Sequence, residues 1–130
     1  MIKYEIRNVN PKNRKTGDCV VRALTVASGR PYIEVYKDLF ELSLKTGYSI
    51  GEKRTYEKLL TLYGFTKFMQ PKKPDNTKYT IGEIDKLLDN NAVAVVSCAN
   101  HLTAVVSGSV VDIWDCRDKS IGNFYLKRKC

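Results

Sequence analysis

The chain has 130 residues, 43% of them apolar, and a formal net charge of +8. That length fits one domain with a single ordinary core, and that apolar share argues against a disordered chain. The basic excess favours acidic partners, nucleic acid among them, but does not dictate a fold.

The longest apolar run, Ala92 to Val96, is far short of a membrane span. Met1-Ile2-Lys3-Tyr4-Glu5 lacks the apolar core of a signal peptide. A cytoplasmic location is expected, with no membrane partner and with Cys19, Cys98, Cys116 and Cys130 mostly reduced. Residues 2–6 alternate and fit a short edge strand, and residues 8–18 form a polar loop carrying Pro11 and Gly17. From Cys19 to Ser28 the apolar Val20, Val21, Leu24 and Ala27 recur at helical spacing. Asp18 or Thr16 is placed to cap that helix, and Gly29 to end it. Pro31 opens a second helix whose Ile33, Val35, Tyr36, Leu39, Phe40 and Leu42 predict a wide apolar face turned inward.

A third helix is expected over residues 55–63, stopped at Gly64, and a short strand over residues 65–69. Thr80 and Glu83 make a capping box for a fourth, short helix, with Ile84, Leu87 and Leu88 facing inward. Strands follow over residues 92–99, 101–106, 110–114 and 124–126. Helices first and an antiparallel sheet after them predict a single α+β domain spanning residues 1–130.

Cys19 sits where a loop becomes a helix, and attack on a carbonyl needs a thiolate. Unpaired amides at a helix start lower a cysteine pKa, and a neighbouring imidazolium lowers it further. The chain's single histidine, His101, begins an apolar strand. Ser107-Gly108-Ser109 is a turn signal. With Gly108 central in a three-residue turn, Val106 faces Val110 and His101 faces Asp115. Opposed side chains lie roughly 4.5–5.5 Å apart at Cβ, so Asp115 is the preferred acid to orient the imidazole, with Asp112 as the alternative. The Cys19 amide supplies one donor for a developing oxyanion. Asn13 is the best-placed second donor, and Asn10 lies further off.

These residues resemble the papain-like cysteine peptidase superfamily, closest to its minimal bacterial and phage members. The carriers are Asn13, the Gly17-Asp18-Cys19 helix start, the strand His101 and Asp115. Thr-Gly-Asp-Cys-Val-Val-Arg-Ala, Ala-Asn-His-Leu-Thr-Ala-Val-Val and Asp-Ile-Trp-Asp-Cys are also similar to short proteins of phages and prophages of Gram-positive bacteria. The resemblance implies Cys19 as nucleophile, His101 as base then acid, Asp115 as its orienter and Asn13 in the oxyanion hole. A glutamine usually stands at the Asn13 position, and Val20 replaces the small or aromatic residue common in papain.

Two other readings stand beside it. Cys98, His101 and Cys116 have part of a zinc spacing but no second Cys-x-x-Cys pair, so no cofactor or metal is called for and Cys98 reads as a core residue. Cys130 reads as an exposed tail thiol. The expected partner is a peptide or protein substrate. The alternative is a catalytically silent fold that binds and inhibits a host protein, with Trp114, Tyr32, Tyr36 and Tyr48 as anchors. Nucleic acid comes third, because the basic residues are scattered and carry no recognised motif.

Overall fold

A computed structural model describes residues 1–128 of the chain. In chain order the elements are β1 (Lys3–Ile6), α1 (Cys19–Ser28), α2 (Tyr32–Thr46), α3 (Lys53–Leu62), β2 (Phe65–Phe68), a 3-10 helix (Ile81–Lys86), β3 (Val93–Cys98), β4 (His101–Val106), β5 (Ser109–Asp112) and β6 (Phe124–Lys127). The expected α+β class holds. The sheet has six strands in the order β1-β5-β4-β3-β6-β2. It is mixed rather than purely antiparallel, because β1 joins β5 in parallel at one edge. Cys130, expected to be an exposed thiol, lies outside the described residues. Among the described residues no helix is long and apolar enough to cross a membrane.

Strand alternation gives each face of the sheet its own core. On β3, Val95 joins Leu24, Leu39, Leu59, Leu60, Leu102 and Tyr125 under the helices. Its neighbours Ala94 and Val96 pack on the other side with Ile81, Ile84, Val105, Val110 and Ile121. Gly29 ends α1 in the left-handed conformation, donating its N–H to Thr25. The fourth, short helix is a 3-10 helix, and Glu83 Oε1 accepts the Thr80 N–H at 3.0 Å as its box requires.

α2 departs from its expected burial. Val35 and Leu39 are buried, whereas Ile33, Tyr36, Phe40 and Leu44 point outward. The run of apolar residues is wide enough to supply two faces, and only one meets the domain.

The turn between β4 and β5 is also tighter than expected. Val106 pairs with Ser109, so Ser107 and Gly108 alone make the turn. Both have positive φ, 49° and 77°, as a type I′ hairpin needs. A Cβ on Gly108 would also displace the Asn90 side-chain amide. Gly108→Ala should therefore lower unfolding free energy by ~1–3 kcal/mol, read from the urea midpoint at unchanged m-value.

Candidate active site

The Ser107–Gly108 turn decides which acid meets His101. A one-residue slip of register turns a strand's side chains to the other face. Continuing the Val106–Ser109 pairing outward sets Asp112 opposite Thr103 and Trp114 opposite His101. The contacts agree: Thr103 Oγ1 donates to Asp112 Oδ2 at 2.7 Å, and the Trp114 ring stands edge-on to His101 at 4.8 Å between centroids. Asp112 thus becomes the diagonal neighbour of His101 on the same face, and its Oδ2 lies 2.7 Å from His101 Nε2. Asp115 is not the partner of the imidazole. Its carboxylate takes Arg117 Nε and Nη2, each at 2.8 Å.

His101 Nε2 is held by Asp112, which leaves Nδ1 as the ring nitrogen open to Cys19. Burial works against the imidazolium, but hydrogen bonding to Asp112, Cys116 and Cys19 outweighs it and holds the ring's pKa up at about 11. Burial likewise opposes the Cys19 thiolate. Hydrogen bonds from His101 and the Leu102 backbone, with the His101 and Arg22 charges, win and bring the thiol below its ordinary value. Cys19 is the first residue of α1, whose leading amides have no intrahelical acceptor. The structure therefore brings a helix-start thiol, an imidazole and a buried carboxylate into one constellation.

Asp18 does not cap α1 with its side chain. Its Oδ1 forms a very short ion pair with Arg22 Nη1, and its Oδ2 accepts from Asn10 Nδ2 at 3.0 Å and Tyr32 Oη at 2.8 Å. Arg22, one turn past Cys19, is itself buried and reaches Asp112 Oδ1 with Nη2 at 3.6 Å. One guanidinium thus ties the nucleophile's helix to the acid that holds the histidine. Arg22 was legible only as a polar residue in an apolar helix, and its position three residues after Cys19 was the available signal.

An open cleft of about 390 Å³ exposes the pair, lined by Cys19, Val20, Lys53, Tyr56, Asn100 and His101 among others. Asn13 is not brought there. It is exposed, has φ 53°, and lines a separate concavity with Lys12, Arg14 and Tyr32. Asn10 is committed to Asp18. The cleft's side-chain donors are Lys53, Tyr56, Ser97 and Asn100. The Ser97 hydroxyl is committed to the Asn123 carbonyl and Tyr56 bonds to Tyr125, and the sequence singled out neither Asn100 nor Lys53 as a donor.

Cys98 ends β3 half-buried, packed against the second core as expected and also lining the wall of this cleft. Hydrogen bonding with Cys116 lowers the Cys98 thiol, and the same bond with burial pushes the Cys116 thiol up. Donor atoms of His101, Asp112 and Cys116 lie within 4.8 Å of one another, a set that suits a soft divalent ion. Ligands of tetrahedral zinc stand about 3.3–3.8 Å apart, as follows from its bond lengths. The 2.7 Å between Asp112 and His101 is hydrogen-bond spacing, so holding an ion here means giving up the bond that orients the imidazole.

No family model, curated protein or solved structure matches the chain.

Proposed function

We propose that this chain is a papain-like thiol hydrolase that cleaves an amide or isopeptide bond through a thioester. The observation that carries the reading is the Asp112–His101 bond at 2.7 Å beside a helix-start cysteine. In this reading the Cys19 thiolate attacks the carbonyl carbon, and the oxygen gains the negative charge. The Cys19 amide, unpaired at the start of α1, donates to that oxyanion, and Asn100 or Lys53 on the cleft wall is the second donor. His101 gives its proton to the leaving amine, the C–N bond breaks, and the acyl group stays on sulfur. Water enters, His101 takes its proton, and the C–S bond breaks to release the acid.

Asp112 keeps Nε2 occupied throughout and stabilises the imidazolium. Both side chains of that bond are largely buried, which strengthens it. The resemblance of its motifs to phage and prophage proteins supports a substrate in a host cytoplasm.

The test is incubation with a proteome-derived peptide mixture, followed by mass spectrometry of products and of the intact chain. Cleaved peptides and a transient acyl adduct on Cys19 are expected, both absent in Cys19→Ala. An unreactive Cys19 with no product overturns the reading in favour of a protein that acts by binding.

A further inference from the structure

The outward stripe of α2 is the largest feature that the hydrolase reading does not use. Ile33, Tyr36, Phe40 and Leu44 are between 44% and 71% exposed. They follow one line along the helix, opposite the buried Val35 and Leu39. The line from Ile33 to Leu44 is about 16 Å long at 1.5 Å per residue. α2 packs inward against α1 and α3, so this second apolar line faces away from the domain. Four large apolar side chains aligned on one helix face are the pattern of an association surface, unlike scattered surface leucines.

The charges beside the stripe indicate what covers it. Glu34, Lys37, Glu41 and Lys45 all lie along the same flank by helical spacing. Lys37, Glu41 and Lys45 have no ion-pair partner among the described residues, and Glu34 has only the exposed Arg30.

We propose that this face pairs with the same face of a second copy of the chain, the two α2 helices lying antiparallel about a two-fold axis midway along the stripe. A two-fold axis places each flank beside its own copy, running the other way. Ile33 then meets Leu44 of the second copy, and Tyr36 meets Phe40. On the flank, Lys37 falls beside Glu41 of the other copy and Glu34 beside Lys45, each pair occurring twice. Opposite charges meet at both positions, with like charges kept out of direct register. In the parallel arrangement the two-fold axis runs along the helices, so the charged flank of each copy lies beside the uncharged flank of the other and these ion pairs do not form. A face this small makes a reversible dimer, since stable interfaces bury about 800 Å² per partner. This pairing does not depend on the hydrolase reading.

Sedimentation velocity of the full chain over a concentration series tests it, with circular dichroism confirming that each variant is folded. Wild type should pass from monomer to dimer as concentration rises, and Phe40→Asp should stay monomeric. Lys37→Glu and Glu41→Lys should each weaken the dimer by at least about tenfold, or ~1.4 kcal/mol. The double variant Lys37→Glu with Glu41→Lys should restore it, because the swapped charges again meet as opposites. A wild type that is monomeric at every concentration overturns the proposal. So does a dimer that survives Phe40→Asp, or single charge changes that the double variant does not rescue.

Discussion

Replacing His101 with alanine should slow alkylation of Cys19 at neutral pH markedly, because the thiol loses the partner that holds its pKa down. The sign follows from the opposing influences at the sulfur. Burial raises the thiol pKa, and hydrogen bonding with the His101 charge lowers it. Without the imidazole, burial remains and its main opponent is gone. Wild type should therefore react with iodoacetamide well below the ordinary thiol range, and His101→Ala only within or above that range. Asp112→Asn should shift the profile the same way by a smaller amount, because it lowers the proton affinity of His101. Asp115→Asn should leave the profile unchanged, since Asp115 serves Arg117. Rates from the mass of the intact chain as a function of pH decide between the two acids. Identical profiles for wild type and His101→Ala would remove the thiolate–imidazolium pair.

The choice between Asp112 and Asp115 shows where sequence reading stops. The helix that carries Cys19, its Gly29 stop and the strand that begins at His101 are written in periodicity and punctuation, which act over a few residues. The acid depends on hairpin register, and register depends on whether Ser107-Gly108 or Ser107-Gly108-Ser109 forms the turn. Both fit the same residues, yet they send opposite faces of the strand toward the histidine. Asn13 failed for a related reason. Its spacing from Cys19 is right, but the loop between them is pinned by Asn8, whose Nδ2 donates to the Arg14 carbonyl at 2.9 Å, and by Asn10 on Asp18. Those bonds hold Asn13 at a different concavity. The outward stripe of α2 was hidden because hydrophobicity marks a face as apolar without saying what covers it.

Arg22→Met should cost about 3–5 kcal/mol of stability, the usual penalty for stripping one partner from a buried ion pair. Asp18 and Asp112 are both buried, and each would lose its contact with the guanidinium. That is a large fraction of the 5–15 kcal/mol typical of a domain. The deficit should also depend on pH. Burial pushes the Asp112 carboxyl up, but hydrogen bonds from His101 and Thr103 bring it below its ordinary value. A depressed carboxylate stabilises the fold above its unfolded pKa, and that stabilisation is lost as pH falls through the folded one. In Arg22→Met the Asp112 carboxylate loses its ion pair with the guanidinium, at 3.6 Å in the wild type. The gap between variant and wild type should therefore narrow as pH falls through the carboxylate range. Urea unfolding at neutral and acid pH measures both effects. Equal stability of the two proteins at neutral pH would show that the guanidinium contributes no net binding between α1 and β5. Arg22 Nε has no partner among the described residues, so the triad of charges is not fully satisfied even in wild type.

The chain has one tryptophan and one histidine, and the fold stacks the edge of one against the other. An excited indole loses its energy readily to a protonated imidazole at such a distance and much less to a neutral one. The emission of Trp114 is thus coupled to the charge on His101, in a molecule with no second indole to dilute the signal. Acylation of Cys19, which removes the thiolate that helps hold that proton, should register as a change in brightness. Any modification or ligand that changes this charge can then be followed by light from the unmodified protein.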